Sequence, residues 1–581
     1  MKKRSKTGTV LRLLKYMAHH FWGLLLAVGL TMGANLFSLL GPKLSGRAID
    51  AIQPGAGMVD FATVRYFATL MALFYVVSAV MDYALNVLMI TISRKITYRM
   101  RQDIFTRLAD MPVGYFDTHA TGDIISRISY DTDTINASLS SDVVQIFASA
   151  ITIVVSLYEM LTIQASLVLV FLFTVPLSVL LTRAITKKTH PLFRLRSRKL
   201  GELNGFVEEM ISGQKTLKAY NQEENTLDEL DDINGQAVEA YYQSEYQTAA
   251  MGPSVNFIHN LSMTLVSVFG TLLHMQGKMS VGDIGSFVLY SRKFSGPIRE
   301  IADIFNELQS AVAAAERVFR IIDEPLEKAD DPDAQALEDV QGLVELEQVS
   351  FGYEEGRTIL KNFSLEAKPG QMIAIVGPTG AGKTTLINLL MRFYDAQAGT
   401  IRMEGRDIHK LTRSSLRLAY SMVLQDTWLF YGSIYDNIAY GRPDATREEV
   451  IAAAKAAHIH NFILRLPQGY DTILTDDAAN ISKGQKQLLT IARAMLMDSP
   501  MLILDEATSN VDTRTEMLVQ QAMRKLMEHK TCFVVAHRLS TIQSADKILV
   551  VRDGNVVECG NHRELMDKQG FYWELYQAQF A

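Results

Sequence analysis

Ile373–Ala374–Ile375–Val376–Gly377–Pro378–Thr379–Gly380–Ala381–Gly382–Lys383–Thr384–Thr385 reads as a β-branched strand emptying into a glycine-rich loop that opens a helix, expected over Thr385–Phe393. Its Gly-x-x-x-x-Gly-Lys-Thr spacing supplies backbone N–H groups that wrap phosphates, an ammonium beside them and a hydroxyl for magnesium. Glycine is required where side chains would block close approach of backbone to phosphate. Gly377, Pro378, Thr379, Gly380, Ala381, Gly382, Lys383, Thr384 and Thr385 are therefore the candidate nucleotide-binding set. A glycine-rich turn before a helix is sometimes only structural, but the flanking strand and helix together favour nucleotide binding.

Met501–Leu502–Ile503–Leu504–Asp505–Glu506 is an apolar run ending in two carboxylates. That is the form of a buried parallel strand with a site at its C-terminal end. Asp505 is placed to hold the shell of Mg²⁺, and Glu506 to polarise an attacking water. Alone, the segment reads more readily as a strand followed by a solvated acidic turn. The phosphate loop one α/β domain upstream weakens that alternative.

Val344–Phe580 resembles the nucleotide-binding domain of ATP-binding cassette (ABC) transporters, and the resemblance implies further roles. Tyr353 matches the aromatic that stacks on adenine, and Gln425 the glutamine linking the magnesium site to the membrane part. Thr384, Gln425 and Asp505 form the implied metal set, and Glu506, His537 and Gln425 the catalytic set. Ile481–Ser482–Lys483–Gly484–Gln485 stands where the family has Leu-Ser-Gly-Gly-Gln, at the start of a helix expected over Gln487–Met497, so Ser482, Gly484 and Gln485 would contact nucleotide held by the opposite subunit. Ser509–Asn510–Val511–Asp512 matches the segment crossing the dimer interface, with Asp512 at the nucleotide, and His537 follows an expected strand Thr531–Ala536 as the switch histidine. Lys483 departs from the family glycine. It adds charge facing phosphate, adds bulk and stiffens a turn if positive φ is needed, which implies a signature weakened or tolerated but not dead.

A chain of 581 residues is too long for one ordinary domain, and 48% hydrophobic residues is high for a soluble enzyme. The excess falls in the first half, at Trp22–Leu40, Tyr66–Ile92, Val143–Ile163, Leu167–Leu181 and Asn256–Leu273. A bilayer crossing needs roughly 20 apolar residues. Buried helices of a globular core are rarely that long and carry a polar face. Trp22–Leu40 follows Lys2–Lys3–Arg4 as a signal peptide would, but exceeds the usual roughly 7–15 apolar residues and reads as a retained span. Val281–Ile298 carries Asp283, Arg292 and Lys293, so topology rather than hydropathy identifies it as a sixth span. The basic arm to Lys15 argues for a cytoplasmic start, ATP is cytoplasmic, and an even number of crossings follows. Basic segments Arg94–Arg127 and Arg183–Lys218 lie inside on this plan, whereas Gln164–Ser166 has no charge.

The expected architecture is multi-domain: an all-α six-helix transmembrane domain followed by an α/β P-loop NTPase of the ABC type. Residues 1–20 form a basic amphipathic arm, 21–319 the membrane domain, 320–340 an acidic linker and 341–581 the nucleotide-binding domain. Tyr115–Arg127 with Asp131–Asp133, and Leu203–Glu209 with Gly213–Ala219, resemble the two intracellular loops of exporters. The resemblance implies a short coupling helix at each tip, one crossing to the partner subunit. Cys532 reads as core, and no Cys/His cluster has zinc spacing.

One chain of this plan is half a transporter, so a second half-transporter subunit is required. Lys483 favours a heterodimer over a homodimer, since some exporters pair one good with one degenerate site. The implied activity is ATP-driven export of a hydrophobic or amphipathic compound, a small molecule or lipid, with ATP and Mg²⁺ as cofactors. Alternatives are a lipid flippase and a non-transporting ATP-regulated membrane assembly. The setting is the cell (plasma or inner) membrane, multi-pass, with both termini cytoplasmic and no nucleic acid as partner. Asn35, Asp82, Asn86, Gln145, Glu159 and His259 are candidate pathway polar groups, and Phe67, Phe74, Tyr75 and Tyr83 candidate aromatics.

Overall fold

The computed structural model describes residues 6–52, 58–354, 356–425, 427–475, 480–505, 513–535 and 539–580. They form two compact units: 1–109 with 121–325, and 110–120 with 326–581.

The first unit is helical. Helices span Lys6–Ala18, Phe21–Asp50, Phe61–Ala109, Val143–Ser212, Glu223–Ala249, Met251–Met275 and Val281–Ile322, with shorter pieces between. Among the described residues four segments are long and apolar enough to cross a membrane: Phe21–Asp50, Phe61–Ala109, Thr121–Ser212 and Glu223–Met275. Gln164 interrupts the third with extended backbone (φ −161°, ψ 101°), so Val143–Ser212 is two helices meeting at the uncharged Gln164–Ser166 stretch. Val281–Ile322 falls outside the hydropathy set. One of its charges has a local reason. Ser280 Oγ accepts from Asp283 N (2.8 Å) while the Asp283 carboxylate accepts from Ser280 N (3.0 Å), a capping box that starts the helix.

Phe61–Ala109 has 49 residues, about 73 Å at 1.5 Å per residue, against a hydrocarbon core of about 30 Å. Its two halves differ accordingly. Leu73, Val76, Val80 and Tyr83 are exposed apolar side chains suited to lipid, whereas Ile92, Ile96, Met100, Ile104 and Leu108 form a buried stripe at helical spacing. The second half thus carries the one-sided buried stripe of a packed amphipathic helix. Leu39, Met160, Leu167, Phe171, Val266, Phe287, Tyr290 and Phe294 make an apolar core between the helices.

The second unit is built on β1 (Val344–Phe351), β2 (Leu360–Ala367), β3 (Met372–Val376), β4 (Ala398–Met403), β5 (Arg406–Asp407), β6 (Tyr420–Val423), β7 (Gly432–Ser433), β8 (Ile473–Leu474), β9 (Met501–Asp505), β10 (Thr531–Val535), β11 (Lys547–Arg552) and β12 (Asn555–Gly560). One sheet has the order β2-β1-β4-β5, and the larger has β12-β11-β3-β10-β9-β6. In the larger sheet β11, β3, β10, β9 and β6 pair in parallel and β12 is antiparallel. Side chains of a strand alternate between faces, and the middle strands divide between two cores on that rule. Ile373, Ile375, Met501, Ile503, Phe533 and Val535 pack toward the smaller sheet. Ala374, Val376, Leu502, Leu504, Cys532 and Val534 pack toward helices that include Lys483–Met497. Burial on both faces explains why these strands read as unbroken apolar runs. It also pushes the Cys532 thiol up to about 12.

Acidic residues read as linker belong in part to this unit. Glu327 accepts from Arg417 (3.2 Å at one nitrogen), and Asp330 accepts from Arg413 (2.8 Å), whose guanidinium is buried.

Candidate functional site

The parallel order sets the site. The C-terminal ends of β3, β10, β9 and β6 lie side by side, with Val376 leading into the glycine loop, Asp505 ending β9 and Gln425 two residues beyond β6. Ligands of parallel sheets bind at such carboxyl ends.

The loop requires its glycines. Gly380 (φ +83°) and Gly382 (φ +104°) sit in left-handed backbone, which side chains reach only at a cost. A Cβ on Gly377 would stand 2.2 Å from the carbonyl of Val551. Gly382 caps the helix Lys383–Leu390, whose free N–H groups point back into the loop. Lys383 Nζ donates to the carbonyls of Gly377 (2.8 Å) and Pro378 (3.0 Å). Burial lowers its pKa, and the neighbouring Asp505 carboxylate opposes that shift. Its three rotatable donors can exchange a loop carbonyl for a phosphate oxygen. Thr384 is exposed at the helix start, whereas Thr385 is buried. These residues fit a polyphosphate with its cation: donors, an ammonium, a hydroxyl and a carboxylate meet at one edge.

Tyr353 is half-exposed and tethered to this helix. Its hydroxyl donates to Thr385 Oγ1 (3.3 Å) and accepts from Asn388 Nδ2 (3.0 Å). Its ring meets Tyr394 edge-on, with centroids 5.0 Å apart. Tyr394 in turn donates to Asp117 (2.5 Å), in the short helix Val113–Thr118 that belongs to this unit. Burial, then the Asp117 carboxylate, hold the Tyr394 phenol well above its usual pKa. Sequence reasoning placed Asp117 in the first intracellular loop but did not single out Tyr394 or pair the two. They are 277 positions apart, and no local pattern links them.

The signature segment is well formed. Ser482 caps Lys483–Met497: its hydroxyl accepts from Gln485 N (3.3 Å), and Gln485 Oε1 accepts from Ser482 N (2.9 Å). Lys483 is the first helical residue, exposed, and absent from the positive-φ positions. The glycine it replaces is thus not needed for backbone conformation here, and the stiffened-turn expectation does not apply. What remains is bulk and charge: a cation at a helix N-terminus costs roughly 0.3–1 kcal/mol against the helix dipole. Gly484 behind it is buried. Glu506, Ser509, Asp512 and His537 lie outside the described residues. Among the described residues no cluster of three His, Cys, Asp or Glu side chains could hold a metal ion.

Of the pathway candidates, Asn35 donates to Thr31 O (2.8 Å) and accepts from Thr152 (3.0 Å), and Glu159 pairs with Lys43 (2.9 Å). Asp82 and Asn86 are exposed, with Asn86 donating to the Asp82 carbonyl (2.9 Å). Gln145 and His259 are half-buried.

Residues 24–298 match the model of the ABC transporter transmembrane region, and residues 360–509 that of the ABC transporter. An uncharacterised ABC transporter ATP-binding protein of Bacillus subtilis is 42% identical over all of this chain and 96% of its own length. A fatty acid ABC transporter ATP-binding/permease protein of Mycobacterium bovis is 44% identical over 94% of this chain and 85% of its own. An ATP-dependent lipid A-core flippase of Hahella chejuensis is 34% identical over 85% and 84%. The solved structure of a bacterial Atm1-family ABC exporter with ATP bound superposes with TM-score 0.77 and 32% identity, over 96% of this chain and 98% of that one. A lipid-suited helical unit and a phosphate-loop ATPase on one polypeptide, matched along their whole length, make this chain a member of the ABC transporter family of the exporter type.

Proposed function

We propose that this chain is one half of a dimeric exporter that uses ATP hydrolysis to move an amphipathic compound out across the cell membrane by alternating access. The observation carrying this reading is a run of side-chain contacts within the second unit. Thr385 of the phosphate-loop helix meets Tyr353, Tyr353 meets Tyr394, and Tyr394 meets Asp117 at the tip of the first intracellular loop. A change in how Tyr353 is held is thereby felt at the loop that continues the membrane helices.

The residue roles follow from chemistry. The loop Gly377–Thr385 and Lys383 hold the phosphates, and Tyr353 offers its ring face to adenine. Thr384, Asp505 and Gln425 would hold Mg²⁺, which neutralises phosphate charge. Glu506 accepts the proton of the attacking water, and His537 donates to the γ-phosphate. Ser482, Gly484, Gln485 and Asp512 act across the interface on the nucleotide of the other subunit. Six crossings with both termini cytoplasmic complete the plan, a number supported by the four apolar segments, the division at Gln164 and the capped helix from Val281. The partner is a second half-transporter, and the heterodimer preference now rests on the charge and bulk of Lys483 alone. Lipid movement is a specific second reading, favoured by the named substrates of the fatty acid and lipid A-core relatives.

The test is uptake of a fluorescent amphiphile into proteoliposomes with the ATPase side outward. ATP-dependent uptake lost in Glu506→Gln is the expected result. Uptake that is indifferent to ATP, or retained in that variant, would overturn the reading.

A further inference from the structure

The helix Val281–Ile322 carries two adjacent cations, Arg292 and Lys293, inside its first half. Lys293 lies twelve residues past the helix start, about 18 Å along its axis. In a hydrocarbon core about 30 Å thick, that is far from either surface. Its ammonium donates to Ser38 Oγ (2.8 Å) and less closely to Ser38 O (3.4 Å) on Phe21–Asp50. Among the described residues no carboxylate lies within ion-pair distance of it. The carboxylates nearby are already engaged. Glu159 is paired with Lys43, and Glu300, two turns along the same helix, accepts from Ser149 (3.1 Å). Arg292 points from the next position toward Met251–Met275, where it interacts electrostatically with the half-buried His259.

Elsewhere in this unit a buried carboxylate meets its cation directly, as Asp131 does with Arg317 (2.6 Å). Lys293 leaves a part-buried positive charge among apolar helices, with the exposed Arg292 guanidinium on the adjacent position. Intramembrane ionisable groups are costly and mark substrate paths. An ammonium bound only to a hydroxyl and a carbonyl gains most from an anion that can come and go. We propose that Lys293, with Arg292 beside it, binds the anionic head of the transported amphiphile, while the surrounding apolar helices accept its chain. This deepens the export reading and rests on it: the substrate is an anionic amphiphile, its head a carboxylate or a phosphate.

The test uses the assembled transporter in nanodiscs, with oleate, oleoyl lysophosphatidate, oleyl alcohol and oleylamine as probes. The readout is the half-maximal concentration for stimulating Glu506-dependent ATP turnover. An anionic probe should act at about tenfold or more lower concentration than oleyl alcohol, a gap worth one factor of ten per 1.4 kcal/mol. Lys293→Met should close that gap and Lys293→Arg should keep it. Response to oleate alone identifies a carboxylate head, and to lysophosphatidate alone a phosphate head. An unchanged gap in Lys293→Met, or preference for oleylamine or the alcohol, would overturn the proposal. Should the Met variant fail to fold, photolabelling of the unaltered protein with a diazirine fatty acid decides instead. Labelling near residues 38 and 293 that oleate or lysophosphatidate competes away and oleyl alcohol does not supports the site, and labelling elsewhere rejects it. Absence of Glu506-dependent turnover with every probe would break the export reading itself, and the labelling arm would still judge the anion site.

Discussion

Val113–Thr118 and Gln214–Ala219 are two six-residue helices in the segments that resemble the two intracellular loops of exporters, and their surroundings differ sharply. The first buries Tyr115, stacks it on His119 (4.2 Å between centroids) and ties Asp117 to Tyr394. Gly114 there lies so close to the Tyr394 ring that a Cβ would stand 3.0 Å from it. Gln214–Ala219 buries no residue at all. Equal elements in equal positions would be expected to find equal partners. On the export reading proposed above, the difference fits a chain that satisfies one loop itself and leaves the other for a second subunit, as Ser482 would serve a nucleotide held elsewhere.

Substitutions can break or sharpen this contrast. Tyr115→Ala should cost about 3–5 kcal/mol, as truncation of a buried aromatic does, visible as a lowered unfolding midpoint of the ATPase unit. Tyr394→Phe removes a hydrogen bond to a carboxylate, worth about 1.5–3 kcal/mol; it should weaken the response of ATP turnover to transported compound more than basal turnover. Ser482→Ala removes a helix cap, typically about 1 kcal/mol, and should lower turnover only in assembled dimers. Leu217→Asp, in the bare helix, should change the thermal stability of the isolated chain by less than about 0.5 kcal/mol. The same substitution should abolish transport by the dimer, and an equal loss of monomer stability would show that the two helices are not different after all.

Much of this architecture was legible because its signals are local. The strands β3 and β9, the glycine loop and the two terminal carboxylates sit in short, consecutive patterns. The uncharged Gln164–Ser166 stretch marked the place where one long helix breaks. Boundaries were less legible. Hydropathy ends the second span near Ile92, but the helix runs on to Ala109 because a buried stripe of helical period replaces the all-round apolar pattern. The phosphate-loop helix stops at Leu390 rather than Phe393, where Arg392 turns left-handed (φ 51°). Only the turn-stiffening expected of Lys483 is removed, since it is an ordinary first helical residue. The Tyr394–Asp117 link, the Lys43–Glu159 pair and the Lys293–Ser38 contact join distant positions, which periodicity along one chain does not encode.

The most direct test of the shared-site account compares ATP turnover per chain in nanodiscs sorted to hold one copy or two. Glu506→Gln discs serve as the blank. One-copy discs should show no Glu506-dependent turnover. Activity in two-copy discs would then identify a homodimer, and silence there that is relieved by a different half-transporter would identify a heterodimer. Equal Glu506-dependent turnover per chain in one-copy discs would contradict the claim that no single chain completes a site.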